Sequence, residues 1–443
     1  MTDALGQVTS YGYDELGNRL TQTDANLHTT SFVYDQLGRR IQRKLPLGQS
    51  ESYGYDTIGN LTSKTDFNGH TTTYTYDNMN RLTAKTADPF FSEGSCGTGA
   101  LACGATQVSY TYTPTGRRAS MTDASGTTTY SYDRVDRPQV KSTPFGDVRY
   151  FWDRAGNQLS LNSPSVSFGA SMSYTYDADN RLASVTDAVG TTNYSYDAVG
   201  NLSGITLPNG VSTSYAYNLL NRLTNLQSTC GTAAPGCGPA GTSIASYTYT
   251  LGAAGNRLSV VELSGRTVNY GYDDLYRLTS EAIAGASAQN GTIAYQYDPV
   301  GNRKQLSSTV PAIPSGLMNY DVNDRLGTDV YDNNGNTINK GGIGNVYDFE
   351  NHLIQHGNVV IVYDGDGSRV SETVAGVTTN YLVADFNPTG YAQVIDEVQG
   401  TVSVRSYTYG LEQISQKHLA RVGTTNVFVP TTTATTGMAR CAI

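Results

Sequence analysis

The sequence is poor in charge, in apolar runs and in aromatic residues other than tyrosine. Of its 443 residues 15% are charged and 38% are hydrophobic, and the second value lies below the roughly 45–50% apolar content of typical globular domains. No apolar run reaches the about 20 residues that a membrane-spanning helix needs. No basic block is present and the net charge is −9, so nucleic-acid binding through phosphate neutralisation is not expected.

Motifs for catalysis, cofactor binding and metal binding are also missing. The chain has no G-x-S-x-G, no phosphate loop, no dinucleotide fingerprint and no H-E-x-x-H. Residues 332–336 and 364–368 begin like calcium loops, but neither has Gly at the sixth loop position or Glu at the twelfth. We therefore predict no cofactor, no metal site and no enzymatic activity for this chain.

Tyrosine is the abundant aromatic residue, with 33 copies against 10 Phe and 1 Trp. Many of these tyrosines belong to a Tyr-x-Tyr-Asp motif that returns every 20 or 21 residues, for example in the equal steps from Asp14 to Asp35, Asp56 and Asp77. A period of this length indicates an array of small supersecondary units. The strict motif ends at Asp14, Asp56, Asp77, Asp133, Asp177, Asp197, Asp273 and Asp298.

One repeat, residues 71–86, reads TTTYTYDNMNRLTAKT and predicts a β-hairpin. Its first six residues are β-branched or aromatic and favour a strand, in which Tyr74 and Tyr76 share one face. Asp77 is placed to accept a backbone N–H and start a turn, and the return strand follows over 81–86. The equivalent repeat positions in two further copies are Tyr174, Tyr176 and Asp177, and Tyr194, Tyr196 and Asp197.

Four of the five cysteines lie in two Gly-rich insertions, at residues 88–107 and 226–243, that follow similar multi-hairpin blocks. Each insertion has the spacing C-x6-C, which favours two local disulfides, Cys96 with Cys103 and Cys230 with Cys237, and an oxidising compartment. A four-cysteine metal site and free thiols remain alternatives, although the short knuckle that zinc prefers is missing. Cys441 is left over.

The motif Y-x-Y-D-x-x-G-N/R at this spacing resembles the YD repeat of the Rhs family, which includes bacterial polymorphic toxins and eukaryotic teneurins. The resemblance covers about residues 8–420. It implies an all-β fold in which tandem hairpins join edge to edge into one long spiralling sheet, a partial hollow shell. The alternative fold is a β-propeller, because two 21-residue periods approach the about 40–45 residues of one blade.

The resemblance also implies a division of the chain. We expect a repeat array over 1–375 and a segment over 376–420 that leads into the Rhs-associated core but does not complete it. The irregular tail, 421–443, is expected to be a frameshifted remnant or the product of an assembly error, because TTTATTGMARCA can be back-translated into DNA that reads YYGHDGHGSVR two bases later. The chain opens inside a repeat, so we expect that a natural N-terminal portion precedes it.

These observations predict an incomplete Rhs/YD-repeat shell protein that encapsulates or presents a C-terminal toxin for intercellular competition. Its expected partners are the missing core and the toxin cargo in cis, with no nucleic acid and no membrane span, and its expected location is secreted or at the cell surface. The alternative is a cell-surface adhesion module that binds carbohydrate or protein. Self-association through open sheet edges is expected for the chain alone.

Overall fold

The structure, a computed structural model, describes residues 1–89, 91, 106–231, 237–285, 288–422 and 425–432, with only the backbone from residue 420 onward. Every element of this described part is a β-strand, and neighbouring strands pair antiparallel. The predicted all-β fold of tandem hairpins is therefore confirmed. The chain divides into two compact units, which among the described residues are 1–91, 106–108 and 249–358 (unit 1) and 109–248 and 359–432 (unit 2).

The strands before the first gap form four consecutive hairpins of unit 1. They are β1 Ser10–Tyr13, β2 Arg19–Thr23, β3 Thr29–Tyr34, β4 Arg40–Lys44, β5 Ser50–Tyr55, β6 Leu61–Thr65, β7 Thr71–Tyr76 and β8 Leu82–Thr86. The later strands of unit 1 are β22 Arg257–Glu262, β23 Thr267–Tyr272, β24 Leu278–Ala284, β25 Gly291–Tyr297, β26 Arg303–Ser308, β27 Gly316–Leu317, β28 Val330–Tyr331, β29 Thr337–Lys340, β30 Ile343–Tyr347 and β31 Leu353–His356.

Unit 2 continues the same pattern and then adds longer strands. Its repeat strands are β9 Gln107–Tyr112, β10 Arg118–Asp123, β11 Gly126–Tyr132, β12 Pro138–Thr143, β13 Gly146–Trp152, β14 Gln158–Asn162, β15 Ser171–Tyr176, β16 Leu182–Asp187, β17 Gly190–Tyr196, β18 Leu202–Thr206, β19 Ser212–Tyr217, β20 Leu223–Thr229 and β21 Ser243–Leu251, the first and last of which reach past the unit boundary. Its C-terminal strands are β32 Val359–Tyr363, β33 Arg369–Val374, β34 Val377–Ala384, β35 Gln393–Gln399, β36 Val402–Tyr409, β37 Gln413–Val422 and β38 Thr425–Thr432.

The strands belong to sheets of 27 and 11 strands. Most strands pair with the strand that precedes them and the one that follows them in the chain, as β6 does with β5 and β7. Long sheets of this kind are not separate four-stranded blades, so the alternative of a β-propeller is wrong. Because the pairing is between sequence neighbours, each hairpin is local, and the repeat period sets the register.

Each repeat hairpin carries a β-bulge next to its turn. In the β7–β8 hairpin Thr75 lies opposite Ala84 and Tyr76 lies opposite Leu82, so that Thr83 is the extra residue on the return strand. The same shift occurs at the second tyrosine of the motif in β15–β16 and β17–β18. A bulge increases local twist and re-aims the neighbouring side chain, which turns the second tyrosine of the motif toward the preceding hairpin.

The two faces of the repeat sheet differ in chemistry. One face, which we call the tyrosine face, carries the two motif tyrosines and the residues opposite them, such as Tyr74 and Lys85. The other, the hydroxyl face, carries Ser and Thr side chains that bond across strands, as Thr65 Oγ1 does to Thr71 Oγ1 at 2.8 Å. Such cross-strand pairs stabilise a sheet by roughly 0.2–1 kcal/mol each. The alternation leaves the tyrosine face as the one that binds other parts of the chain.

In unit 2 the C-terminal strands pack on the tyrosine face and form its core. Val148, Leu161 and Val185 from the repeat strands and Leu382 and Ile395 from β34 and β35 belong to one buried hydrophobic cluster. All five side chains are almost fully removed from solvent. Burial of each side chain of this size contributes about 1.5–3 kcal/mol. This core therefore holds the C-terminal strands against the repeat strands.

Candidate functional site

The aspartate of the motif closes the turn of its own hairpin. Asp77 Oδ1 accepts the backbone N–H of Met79 at 2.9 Å and of Arg81 at 3.0 Å, and Oδ2 accepts Arg81 Nε at 2.7 Å. The turn residue Asn80 has φ 59°, in the left-handed region that Asn and Gly tolerate best. The Asp77 carboxylate therefore satisfies backbone donors that the tight turn leaves without a partner.

The other two copies of the motif use their aspartates in the same way. Asp177 accepts the N–H of Asp179 and Arg181 and the Nε of Arg181, the last at 2.7 Å. Asp197 accepts the N–H of Val199 and Asn201 and the Nδ2 of Asn201. Asn or Arg at the fourth position after the aspartate thus performs one role, which is to donate to the second carboxylate oxygen.

The tyrosine just before the aspartate ties each hairpin to the one before it. Tyr76 Oη donates to the carbonyl of Leu61 at 2.9 Å, and Tyr196 Oη donates to that of Leu182 at 2.8 Å. The accepting residue is the first of the preceding return strand, where the bulge leaves the carbonyl available. The same bond joins Tyr55 to Arg40, Tyr132 to Arg118, Tyr176 to Gln158, Tyr217 to Leu202, Tyr272 to Arg257 and Tyr297 to Leu278.

Adjacent turns are also bonded to each other. Arg39 donates to the carbonyl of Asp56 at 2.9 Å, and its guanidinium lies 4.9 Å from the ring centre of Tyr55. In unit 2, Asn201 Nδ2 donates to Asn221 Oδ1 at 3.0 Å. These bonds run from one period to the next, so the signature residues form a ladder along the edge of the array. The ladder accounts for the strict spacing of the motif without any catalytic role.

We expect Asp77→Ala to destabilise unit 1 by about 1 kcal/mol, because it removes the acceptor of two backbone N–H groups and one guanidinium N–H. The measurement is urea unfolding followed by circular dichroism. Asn78→Ala at the tip of the same turn is the matched control and should change stability by less than about 0.5 kcal/mol. Equal effects of the two substitutions would show that the carboxylate does not hold the turn.

The first tyrosine of the motif has a different environment in the two units. Tyr174 and Tyr194 of unit 2 are buried beneath the C-terminal strands, whereas Tyr74 of unit 1 is only partly buried and lies opposite Lys85. Burial raises the pKa of all three phenols. The first tyrosine of the motif is therefore a core residue at positions 174 and 194 and a half-buried residue at position 74.

A buried carboxylate anchors the C-terminal strands to the repeat strands of unit 2. Asp396 in β35 is 0% exposed, and it accepts hydrogen bonds from Ser163 Oγ at 2.5 Å, from the Ala170 N–H at 3.0 Å and from Ser403 Oγ at 2.8 Å. Ser163 and Ala170 belong to the repeat sheet side of the interface. Burial raises the pKa of Asp396 to about 6.

Three further polar contacts cross the same interface. Lys141, which is 3% exposed, places its Nζ 2.6 Å from Asp385 Oδ2, just after β34. At the other end Asp187 accepts Thr408 Oγ1 at 2.5 Å and lies 3.7 Å from Lys417 Nζ. Each buried charge thus has an opposite charge or several donors, as buried charges need.

The predicted cysteine pairs fall in different parts of the chain. Cys230 and Cys237 form a disulfide with a Cα–Cα distance of 5.7 Å. Cys96, Cys103 and Cys441 lie outside the described residues. The disulfide closes the loop at the end of β20 within unit 2.

The two segments that begin like calcium loops are turns of the repeat. Asp332 Oδ1 accepts the N–H of Asn336, and Asp364 Oδ1 accepts the N–H groups of Asp366 and Ser368. Burial raises the pKa of Asp364 to about 6. The described residues contain no group of three or more His, Cys, Asp or Glu side chains that could hold a metal ion. None of their elements is a helix with the length and apolar character to cross a bilayer.

We expect the stability of unit 2 to have its maximum at mildly acidic pH. Asp364 and Asp396 have a raised pKa in the folded state, so their contribution to stability grows as the pH falls through about 6 and is complete below the unfolded value. The turn aspartates, such as Asp177, have a lowered pKa, and their contribution is lost as the pH falls below about 4.

From pH 7.5 to pH 5 each buried aspartate should add about 1 kcal/mol to the stability of unit 2. The fluorescence of Trp152, the one tryptophan of the chain, reports urea unfolding of this unit. Asp364→Asn should reduce the increase in the stability of unit 2 between pH 7.5 and pH 5. A urea unfolding midpoint that falls steadily from pH 7.5 to pH 5 would contradict a raised pKa for Asp364 and Asp396.

Comparisons with known proteins agree with the repeat. The model of the RHS Repeat family matches residues 1–29, 34–71, 55–89 and 196–233. The tRNA3(Ser)-specific nuclease WapA of Bacillus spizizenii and the tRNA nuclease WapA of Bacillus subtilis are each 30% identical over 255 residues, which is 54% of this chain and 10% of the relative. The chain therefore spans about a tenth of the length of these curated relatives.

Among solved structures, the crystal structure of TcdB2-TccC3 aligns with 96% of this chain and 31% of its own chain. The two chains are 16% identical in the alignment, and the TM-score is 0.40.

Proposed function

Because this chain is an RHS-repeat protein, we propose that its repeat sheet is the wall of a container that encloses or presents a C-terminal toxin in cis. The observation that carries the proposal is the seat in unit 2, where the tyrosine face of the repeat strands holds a later segment of the same chain. Asp396, Lys141 and the apolar cluster fix that segment. A sheet that binds polypeptide on one face is suited to a wall around a cargo.

A structural role also agrees with how the acidic residues are used. Both oxygens of Asp177 and of Asp197 accept bonds within their own turns, which suits a structural role for these two motif aspartates. General acid–base catalysis needs a carboxyl group within reach of a substrate. We therefore propose that any toxic activity resides in the cargo and not in the repeats.

The proposal is tested on the complete gene product that contains this chain. The product is treated with a broad-specificity protease before and after denaturation, and cargo fragments are identified by mass spectrometry. We expect the C-terminal cargo to survive digestion in the folded protein and to be degraded once the wall is unfolded. Equal digestion of the cargo in both states would contradict enclosure.

The nuclease names of the WapA relatives suggest one class of cargo, but the match covers only a tenth of those proteins. We treat a nuclease cargo as one possible result of sequencing and assaying the protected fragment. Within this chain we propose that residues 1–375 form the wall and that residues 376–420 lead into the Rhs-associated core. The secreted or surface location remains a proposal that the Cys230–Cys237 disulfide supports.

One observation favours a second candidate, adhesion to carbohydrate. Unit 1 contains a cavity of about 370 Å³ whose lining includes Asn26, His28, Tyr297 and Asp324. Amide, carboxylate and phenol groups around a concave site are able to hold hydroxylated ligands. Retention of the chain on a glycan array, lost on Tyr297→Ala, would support this function, and no retention on any glycan would remove it.

We also propose that the chain alone associates through its strand edges. Strand β1 pairs with β2 on one side, and free edges invite pairing with further chains. Light scattering at micromolar concentration should therefore give a mass above that of one 47.5 kDa chain. A single species of that mass would argue against edge pairing.

A further inference from the structure

The tyrosine face of unit 1 carries a row of basic side chains that has no counterpart on its hydroxyl face. Arg43, Lys64 and Lys85, which we call the basic row, occupy the same repeat position 21 residues apart. They lie opposite the first aromatic residue of each hairpin, namely Phe32, Tyr53 and Tyr74. Because they are on alternate strands, β4, β6 and β8, they are spaced about 10 Å apart.

Two arginines extend this basic surface. The Arg19 guanidinium lies 4.5 Å from the ring centre of Phe32, and that of Arg40 lies 4.8 Å from the ring centre of Tyr53. Glu51 is the one acidic residue within strands β1–β8, and Arg43 Nε approaches its carboxylate at 2.6 Å.

The charges on this surface do not balance. Lys64 Nζ lies 3.7 Å from the same Glu51, and Lys85 Nζ lies 2.6 Å from Glu350. Around the described strands β1–β8, five cationic side chains thus lie with two carboxylates, a local excess of three positive charges, whereas Glu281 occupies the same repeat position in β24. The whole chain has a net charge of −9, so this face is opposite in sign to the rest of the protein.

Unit 2 shows what the same repeat position does when polypeptide covers it. The equivalent residues there are mostly apolar, such as Leu161, Val185 and Ile205, and they pack against the C-terminal strands. The exception is Lys141, which lies opposite Tyr130 and binds the carboxylate of Asp385 on the seated segment at 2.6 Å. At Lys141, a basic residue at this position thus binds a carboxylate of the segment that lies on the repeat strands.

We propose that the basic row of unit 1, with Arg19 and Arg40, is a docking surface for an acidic polypeptide segment. This inference rests on the proposed function, in which the segment belongs to the cargo. The side chains of Arg43 and Lys64 are each 36% exposed, which leaves them accessible to a partner. Attraction to an acidic segment is electrostatic and therefore weakens as ionic strength rises.

The test measures the fluorescence anisotropy of a labelled oligo-glutamate peptide titrated with the full chain at low and at physiological ionic strength. We expect saturable, salt-sensitive binding. Arg40→Gln with Lys64→Gln should weaken it by about fivefold or more. Lys44→Gln is the control, because it removes one positive charge on the opposite, hydroxyl face of β4, and it should change binding by less than about twofold. Lys64→Arg, which keeps the charge, should retain binding.

Three results would overturn the inference. They are the absence of saturable binding by the correctly folded chain, equal weakening by Lys44→Gln, and equally tight binding of a single-stranded oligonucleotide, which would mark a general polyanion surface. Circular dichroism spectra and urea midpoints of each variant show that folding is unchanged. Protection of the cargo from protease is measured separately on the complete gene product. Absence of peptide binding with the cargo still protected would refute the docking surface alone, whereas loss of that protection would refute the container.

Discussion

Replacing Asp396 by alanine is expected to destabilise unit 2 by about 3–5 kcal/mol, a large part of the usual stability of a folded unit. The side chain is fully buried and accepts bonds from Ser163, Ala170 and Ser403. The substitution removes that acceptor, and the backbone N–H of Ala170 is left buried without another. A buried donor without an acceptor costs about 1–3 kcal/mol, and the cavity left by the carboxylate adds to this.

Urea unfolding followed by Trp152 fluorescence measures the effect in unit 2. Asp179→Ala serves as control, because this aspartate is 73% exposed and forms an ion pair with Arg181 that is worth about 0–1 kcal/mol. Its expected change is below about 0.5 kcal/mol. An Asp396→Ala protein as stable as the control would show that this carboxylate does not anchor the C-terminal strands.

Replacing Gly410 by alanine is expected to destabilise the same interface by about 3 kcal/mol, because the added methyl group has no room. A Cβ at this position would lie 2.0 Å from Tyr194 Oη and 3.2 Å from Ile414 Cδ1. Tyr194 is held in the core beneath the hairpin between β36 and β37 and cannot move away freely. Gly410 is therefore required by the close approach of the C-terminal hairpin to the repeat sheet.

Tyr194→Phe provides a rescue that identifies the clash. It removes a buried hydroxyl oxygen, so alone it should cost at most about 1 kcal/mol. Combined with Gly410→Ala it should restore at least about 1 kcal/mol, measured as a double-mutant coupling energy. Gly344→Ala, where an added Cβ meets nothing within 4 Å, is the matched control. A zero coupling energy would rule out the contact between Gly410 and Tyr194.

The local part of this fold was predictable from the sequence because its determinants lie within one repeat. Residues 71–86 predicted a hairpin with Tyr74 and Tyr76 on one face and Asp77 at the turn, and β7 and β8 have these limits within a residue. Turn chemistry, strand propensity and period all act over fewer than about 25 residues. The resemblance to YD repeats supplied the edge-to-edge order of the hairpins, which the period alone could not separate from a propeller.

The contacts that seat the C-terminal strands could not be predicted in the same way. Asp396 meets Ser163 across 233 positions, and Lys141 meets Asp385 across 244. No periodic pattern links such pairs, because each occurs once and depends on how a whole sheet face is covered. The available signals were weak: Lys141 is a basic residue among apolar equivalents, and the sequence 393–399, QVIDEVQ, places two acidic residues between apolar ones in a strand.

The measurement that most directly tests the wall and its binding face is lysine labelling with an acylating reagent, read by mass spectrometry. It compares Lys64 on the tyrosine face of β6 with Lys44 on the hydroxyl face of β4. In the complete gene product we predict that Lys64 is protected relative to the 443-residue chain alone, whereas Lys44 reacts equally in both. Equal labelling of Lys64 in the two proteins, or protection of Lys44 instead, would contradict a cargo held on the tyrosine face.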